Sequence, residues 1–234
     1  MEPRVLLFLV TILGSLAQED LEGKVFVFPM EASTDHVILN LTITEPLQKV
    51  SVCLNSYSHL ARPYSLFSLS TPSSANAFSF FSNSPTYYHV IVNNEYTTYR
   101  TDPESMDWRH TCVTWDSSTG VVQLWVNGKL SPRRVSRKGF SIEAETSIVL
   151  GQEQASFGGK FDSYKLFLGE MSDVHMWDYV LTPKDIHKVI SGGLNGNVIS
   201  WRSLVYEMKG SVVIQPKLQC RSWGSTSSLY TPCY

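Results

Sequence analysis

The amino-acid sequence predicts an all-β protein: a two-sheet antiparallel sandwich of the jelly-roll, lectin-like type with one short helix. Three observations support this prediction. Short runs in which apolar and polar residues alternate recur along the chain, and each is of strand length. Turn residues bound these runs, and one segment alone carries the start and stop signals of a helix. Many short strands without intervening helices bury their apolar faces by packing as two sheets.

The alternation predicts strands in chain order. They are Lys24–Phe28, His36–Ile43, Val50–Leu54, Tyr64–Leu69, Phe78–Phe81, His89–Val92, Thr111–Trp115 and Val121–Val126. The connection between the last two contains Gly120 and is short enough for a hairpin, and Asn127-Gly128 marks the next tight turn. We interpret Trp115, Trp125 and Trp177 as core residues because their neighbours are apolar.

The predicted helix begins after Thr182. Thr182, Pro183 and Asp185 supply an N-cap, a first-turn proline and a capping-box acid, and Gly192-Gly193 ends the run. Its apolar residues fall on one face, so the helix is expected to pack on a sheet. They are Ile186, Val189 and Ile190.

Residues 1–17 form a predicted signal peptide. Arg4 precedes the apolar run Val5–Leu13, and Ser15 and Ala17 follow at the spacing that signal peptidase prefers. The run is well short of the roughly 20 apolar residues that a membrane-spanning helix needs. We therefore expect a secreted, extracellular protein with one domain over residues 18–219 and a cysteine-containing C-terminal extension over residues 220–234.

Composition and motifs argue against several function classes. The formal net charge is −2 with both signs interspersed, so neither nucleic acid nor an anionic membrane is an expected partner. The chain carries no nucleophile elbow, P-loop or dinucleotide fingerprint. Glu143 and Glu145 can share a strand face, as in a sandwich glycosidase, but they lack the third acid and the tryptophan setting of such hydrolases. We therefore predict a binding protein and not an enzyme.

Export to an oxidising compartment makes the cysteines expected disulfide partners. They are Cys53, Cys112, Cys220 and Cys233, and the sequence alone permits three pairings. Asn40 begins the unblocked sequon Asn40-Leu41-Thr42 and is the predicted glycosylation site.

A series of motifs carries a resemblance to a known family. The motifs are VFVFP (25–29), HTCVTWDS (110–117), LWVNGK (124–129), IVLGQEQ (148–154), SFGGKF (156–161) and VHMWDYVLTP (174–183). HTCVTWDS fits a His-x-Cys-x-Ser/Thr-Trp-x-Ser signature. By these motifs the chain resembles the short pentraxins, which are secreted, ring-forming proteins of innate immunity, from about Gly23 to Leu218.

The resemblance implies a jelly roll with one helix that assembles as a cyclic homo-oligomer, a pentamer in particular. It selects Cys53–Cys112 as a disulfide and leaves Cys220 and Cys233, for which an intrachain loop is favoured over a cross-link between subunits. It also implies phosphocholine, phosphoethanolamine or polysaccharide ligands on one face of the ring, and complement components on the opposite face.

Proteins of this family hold two adjacent calcium ions per subunit, and the resemblance locates the ligand positions in this chain. The positions that keep an oxygen ligand are Asn76, Glu153, Gln154 and Asp162. The positions where the expected ligand is replaced are Ala75, Ala155 and Lys165. Calcium affinity falls as ligand charge is removed, and the Lys165 ammonium can pair with Glu153 and Asp162 in place of an ion. We therefore expect calcium, the cofactor of the family, to bind weakly or not at all.

The resemblance also indicates a pocket for the trimethylammonium group of phosphocholine. Phe81 stands at the position of its aromatic wall, and Tyr96 or, after a one-residue slip, Glu95 falls in the region of the acid that balances the ligand charge. The alternation of Phe81 with Ser79 is equally compatible with a place in the sandwich core. Without calcium, Lys165 can bind phosphate as a point charge.

These residues predict a secreted pattern-recognition protein with weakened calcium dependence. Its ligands would be phosphocholine-like groups or polysaccharides on microbial or damaged-cell surfaces, bound with avidity by several sites of one ring. The alternative is a structural or carrier pentraxin that has lost ligand coordination. Calcium-dependent retention on phosphocholine or agarose distinguishes the two.

Overall fold

The computed structural model describes residues 20–84, 86–103, 107–221 and 230–232. Within these residues the strands form an eight-stranded sheet, a seven-stranded sheet and two separate hairpins, together with one α-helix. The large sheets are antiparallel and enclose a common core. The predicted all-β, two-sheet architecture with one short helix is confirmed.

The elements are numbered in chain order. The strands are β1 (Lys24–Phe28), β2 (His36–Leu39), β3 (Lys49–Tyr57), β4 (Tyr64–Thr71), β5 (Ser74–Ser84), β6 (Tyr87–Val92), β7 (Glu95–Arg100), β8 (Arg109–Asp116), β9 (Val121–Val126), β10 (Lys129–Leu130), β11 (Arg134–Val135), β12 (Ser147–Leu150), β13 (Gln154–Ser156), β14 (Gly159–Phe161), β15 (Gly169–Trp177), β16 (Tyr206–Lys209), β17 (Val213–Pro216), β18 (Gln219–Arg221) and β19 (Tyr230–Pro232). The helix α1 is Pro183–Ile190, and a short 3₁₀ turn covers Trp201–Ser203.

The order of the strands differs from their order in the chain. The eight-stranded sheet runs β10-β9-β8-β3-β15-β1-β17, and β11 also pairs with β9. The seven-stranded sheet runs β16-β2-β12-β4-β5-β6-β7, so that β5, β6 and β7 form a meander at one edge. The hairpins are β13–β14 and β18–β19. The β13–β14 hairpin contacts β4 and β5, and this contact builds the candidate site described below.

The eight strands predicted from alternation correspond to β1–β6, β8 and β9. β2 is shorter than predicted and ends at Leu39, because the Asn40 amide donates a hydrogen bond to the Val205 carbonyl outside the ladder. Other strands are longer than predicted, above all β3 and β5. The strand β7 was missed because it is an edge strand in which Tyr99 alone is buried, so its sequence shows no apolar alternation.

The strand β15 was also not predicted. Its pairing with β3 shifts register between Ser172 and His175, and Asp173 between them has a positive φ of 54°. Such a bulge places consecutive side chains out of the period of two by which strands are recognised.

The main core lies between the two large sheets. Its largest members include Phe26, Phe67, Phe80, Trp115 and Trp201, each no more than 2 % exposed. Burial of an aromatic or aliphatic side chain of this kind contributes about 2 kcal/mol. The predicted core positions of the tryptophans are confirmed, since Trp115, Trp125 and Trp177 are 0, 6 and 0 % exposed.

The helix α1 covers the disulfide on the outer face of the eight-stranded sheet. Cys53 and Cys112 are directly opposed on β3 and β8, with a Cα–Cα distance of 4.1 Å, and the disulfide between them is present as the resemblance implied. A second apolar cluster joins these cysteines to Ile186 and Val189 of the helix. The predicted helix and its capping box at Thr182 are confirmed.

Some predictions fall outside the described residues. These are the signal peptide over residues 1–17 and the partner of Cys220, because Cys233 is not among the described residues. The backbone of Cys220 lies in β18. None of the described helices is long and apolar enough to cross a lipid bilayer.

Candidate functional site

The candidate site lies on the outer face of the seven-stranded sheet. On β5, Phe78 and Phe80 point into the main core, and the alternation of a strand turns Phe81 to the opposite face. Phe81 is nevertheless only 4 % exposed, because other side chains cover it. Phe81 therefore lies outside the core between the two sheets, and its contact with a ligand remains a prediction.

A group of aromatic rings surrounds Phe81. His89 of β6 stands opposite Phe81 in the ladder, and the two rings stack with centroids 4.9 Å apart. Tyr96 of β7 meets Phe81 edge to face at 6.3 Å. Thr98 Oγ1 and His89 Nδ1 lie 3.1 Å apart and fix the imidazole plane. Burial, with a smaller effect of the nearby Lys165 charge, lowers the pKa of His89, so this ring is neutral at physiological pH.

Sequence reasoning missed His89. A signal was available, because antiparallel pairing of the predicted strands Phe78–Phe81 and His89–Val92 about the midpoint of the segment between them places position 81 opposite position 89. The alternation was used to predict the strands but not to pair them.

Of the two candidates for the acidic position, the structure brings Tyr96 to the site and not Glu95. Glu95 is exposed, and its Oε2 lies 3.1 Å from Arg137 Nε. Adjacent strand residues point to opposite faces, so Tyr96 beside Phe81 requires Glu95 to point away. The structure thus places Glu95 away from the group around Phe81, in an ion pair with Arg137.

Lys165 covers the Phe81 ring. Its Nζ lies 4.3 Å from the Phe81 ring centroid and 6.0 Å from that of Tyr96. The same Nζ lies 2.5 Å from Glu153 Oε2 and 3.4 Å from Asp162 Oδ2. The side chains of Lys165 and Glu153 are 15 and 6 % exposed, so this ion pair is largely shielded from solvent.

Backbone hydrogen bonds hold these groups in place. The Asp162 amide donates to the Glu153 carbonyl, and the Lys165 amide donates to the Asp162 carbonyl. The Ser65 amide of β4 then donates to the Lys165 carbonyl at 2.9 Å. Lys165 is thereby fixed to the sheet on which its side chain lies.

Gln154 anchors the β13–β14 hairpin to the sheet. Its fully buried side chain donates from Nε2 to the carbonyls of Ser68 and Ser147, and its Oε1 accepts from Ser70 Oγ and the Gly158 amide. Both polar atoms of the Gln154 side chain are therefore used in hydrogen bonds within the protein. The contribution expected of Gln154 to metal binding was its backbone carbonyl, and that remains a prediction.

The pKa values of both partners of the ion pair are raised, and this has opposite effects on their charges. Burial raises the pKa of Glu153, and by itself lowers that of Lys165, yet the carboxylates beside Lys165 outweigh burial and raise its pKa above the ordinary value. The two directions pull Glu153 toward neutrality and Lys165 toward its charged form. Because Nζ and Oε2 are in direct contact at 2.5 Å, we assign both groups their charged forms at neutral pH.

The residues present do not fit a calcium ion. Calcium takes six to eight oxygen ligands, and the side chains of Ala75 and Ala155 supply none. Asn76 Oδ1 is buried without a hydrogen-bond partner among the described residues, whereas the Asn76 side chain donates a hydrogen bond to Glu153. The place beside Glu153 that a cation would take is filled by the Lys165 ammonium.

A second cleft, of about 250 Å³, opens beside the C-terminal end of α1. Lys217 Nζ lies 2.9 Å from Asp173 Oδ2 and 4.3 Å from the Trp108 ring centroid. Burial lowers the pKa of His110 in this cleft to about 4. His110 and the disulfide form one compact group of potential metal ligands, but both cysteines are used by the disulfide.

The predicted glycosylation site is accessible. Asn40 is exposed at the end of β2 and lines a surface groove of about 640 Å³ together with Val205. An exposed sequon is what glycosylation requires. Modification of Asn40 remains a prediction.

Comparison with known proteins agrees with this architecture. The model of the Pentaxin family matches residues 24–216. The chain is 49 % identical to C-reactive protein of Xenopus laevis over 235 residues, which cover 99 % of each chain. It is 42 % identical to serum amyloid P-component of Cavia porcellus over 207 residues, which cover 88 % of this chain and 93 % of that relative.

A solved structure gives the same result at the level of the fold. The native heptameric SAP-like pentraxin of Limulus polyphemus superposes with a TM-score of 0.75 and 25 % identity, and the match covers 83 % of this chain and 95 % of that chain.

Proposed function

The chain belongs to the pentraxin family, and we propose that it is a secreted pattern-recognition protein of innate immunity with weakened calcium dependence. Its ligands are phosphocholine-like groups or polysaccharides that repeat on microbial or damaged-cell surfaces. The protein acts by binding and not by catalysis. The observation that carries the proposal is the ion pair of Lys165 with Glu153 and Asp162, in which an ammonium and not a metal ion pairs with both carboxylates.

Secretion is supported by the buried Cys53–Cys112 disulfide, because such bonds persist in oxidising compartments. The predicted signal peptide over residues 1–17 supports the same conclusion.

We propose a cyclic homo-oligomer as the functional form, a pentamer in particular. The Limulus relative is described as heptameric, which supports ring assembly and not a ring size. Several weak sites on one face of a ring bind a repetitive surface with an avidity that a single site lacks. Complement components are the proposed partners of the opposite face.

One observation favours a second candidate, a structural or carrier pentraxin without ligand coordination. The Lys165 side chain fills the aromatic pocket as well as the place of the ion. Under this alternative no surface ligand binds at this face.

Calcium titration tests the proposal. Because the calcium ligand set is incomplete, we expect little or no heat when sub-millimolar calcium is added to chelator-treated protein, and a melting temperature that changes by less than about 1 °C. Retention on polysaccharide or phosphocholine beads with chelator present supports a calcium-independent recognition protein. Retention on neither matrix supports the carrier alternative, and tight binding of two calcium ions contradicts the weakened calcium dependence.

A further inference from the structure

We infer that the Lys165 ammonium is a tethered occupant of the ligand pocket, and that it substitutes at once for a metal ion beside Glu153 and Asp162 and for a quaternary ammonium over Phe81. This face is then closed to phosphocholine, with or without calcium. The inference rests on the proposed function and narrows its ligand to the polysaccharide class.

The first step concerns the cation-binding position over the face of the Phe81 ring. A cation within about 6 Å of a ring centroid is attracted by the ring face, and Lys165 Nζ holds such a position at 4.3 Å. His89 covers Phe81 by stacking, and Tyr96 closes the edge. A trimethylammonium group placed over Phe81 would meet the Lys165 ammonium in the same space, where like charges repel.

The second step concerns the phosphate. With no metal bound, the anionic end of phosphocholine faces the carboxylates of Glu153 and Asp162. The one ammonium between them is already paired with both, at 2.5 and 3.4 Å. The formal charges of Lys165, Glu153 and Asp162 sum to −1, so the site repels phosphate. The expectation that Lys165 binds phosphate as a free point charge is not supported by this geometry.

The third step is that Lys165 does not leave the pocket readily. Its backbone is fixed on both sides, by the Ser65 amide and by the Asp162 carbonyl. Moving the side chain into solvent would leave Glu153, 6 % exposed, as a shielded carboxylate without its cation. The closed arrangement is therefore the stable state of the site.

Exposed aromatic side chains beside the ion pair remain accessible to an uncharged ligand. Tyr96 is 53 % exposed beside the ion pair, and Tyr164, the residue next to Lys165, is 82 % exposed. Exposed aromatic rings offer apolar faces to a sugar ring without requiring a cation. Uncharged polysaccharide is accordingly the ligand class that this face can still accept.

The test restores the missing calcium ligands with and without Lys165. The variant A75D/A155D supplies both carboxylates but keeps Lys165, whereas A75D/A155D/K165Q also replaces the ammonium with a neutral oxygen ligand. Phosphocholine is titrated calorimetrically into each protein, with millimolar calcium and with chelator. The matched control is K160Q, which neutralises an exposed lysine of the β13–β14 hairpin.

We expect the native protein, K160Q and A75D/A155D to bind no phosphocholine in either condition. The triple variant should bind phosphocholine only when calcium is present, at least about tenfold more tightly than the detection limit set by A75D/A155D. Its melting temperature should rise when calcium is added. Binding by the native protein or by A75D/A155D overturns the inference, because Lys165 is then no barrier. A folded triple variant that still fails to bind overturns it as well.

A parallel measurement separates this inference from the proposed function. Retention on agarose beads in chelator is measured for the native protein and for Y96A. Failure of the native protein to bind any polysaccharide contradicts the proposed recognition function, but leaves the closure by Lys165 to be decided by the phosphocholine titrations.

Discussion

At the residue scale, the ion pair of Lys165 with Glu153 dominates the ligand face. Two charges removed from solvent are stable only when each keeps its partner, because desolvation costs several kcal/mol for each ion. The pair is held on an aromatic floor, where the ammonium also gains a cation–π contact with Phe81. Loss of one partner should therefore cost far more than loss of both.

Replacing Lys165 by Met should lower the free energy of unfolding by about 3 kcal/mol, because it leaves Glu153 shielded and unpaired. The double variant E153Q/K165M should recover most of that loss, since neither side chain is then charged. Urea denaturation of both variants checks this prediction. A loss below about 0.5 kcal/mol in K165M would show that solvent reaches Glu153 and that the pair is a surface pair.

His110 should make stability depend on pH. Its pKa is lowered from 6.5 to about 4, chiefly by burial, with Asp173 opposing the shift and His175 and Lys217 adding to it. The folded protein thus disfavours protonated His110, so its contribution is fully present above pH 6.5 and is lost as the pH falls toward 4. A shift of this size corresponds to about 3 kcal/mol.

The measurement is the free energy of unfolding between pH 7 and pH 4 for the native protein and for H110Q. The slope should be shallower in H110Q, although other buried histidines such as His175 retain part of it. H187Q, which changes an exposed histidine of α1, should keep the native slope. Equal slopes in the native protein and H110Q would assign the acid sensitivity to other groups.

At the scale of the elements, the helix α1 depends on its cap as well as on its packing. Thr182 Oγ1 accepts a hydrogen bond from the Asp185 amide at 3.2 Å, and the Thr182 amide donates to Asp185 Oδ2 at 3.3 Å. Ile186 and Val189 pack over the disulfide. The cap thus holds the cover of the Cys53–Cys112 bond in place.

Replacing Thr182 by Ala should destabilise the protein by about 1 kcal/mol, because an amide of the first turn loses its acceptor. Thermal unfolding at neutral pH gives this value. T44A, which changes an exposed threonine in the loop after β2, should have a much smaller effect. An equal loss in the two variants would mean that the capping bond adds nothing to stability.

At the scale of the whole molecule, a disulfide closes a long loop across adjacent strands. Cys53 and Cys112 are 59 residues apart in sequence, and the loop between them contains the β4–β7 part of the seven-stranded sheet. The bond thereby links the neighbouring strands β3 and β8 of one sheet and closes the loop that contains β4 and the β5–β7 meander of the other sheet.

Replacing both cysteines by Ala should cost about 4 kcal/mol in the chain-entropy model, because the unfolded chain regains the freedom of that loop. The denaturation midpoint of C53A/C112A under non-reducing conditions checks the value. Under reducing conditions, which also open the predicted Cys220–Cys233 bond, the native protein and the variant should have similar midpoints. A loss below about 1 kcal/mol would indicate that the unfolded state is compact without the bond.

Much of the architecture follows from local sequence pattern. Alternation identified eight strands, and capping residues identified α1, because a strand or a helix imposes its own period on the residues that it buries. The strands that were not predicted include β7, which buries almost nothing, and β15, whose bulge at Asp173 interrupts the period, besides β10–β14 and β16–β19. Local pattern reports burial, and β7 and β15 depart from it.

By itself, the sequence determined the sandwich, the helix and the family, and through the family resemblance it indicated Ala75, Ala155 and Lys165 as replacements at expected calcium positions. Only the tertiary structure decided that Phe81 faces outward, that Tyr96 and not Glu95 borders it, and that the Lys165 ammonium lies over the ring and against Glu153. The reason is physical: strand pairing joins positions far apart in the chain, and the direction of a side chain depends on a register that no local pattern contains.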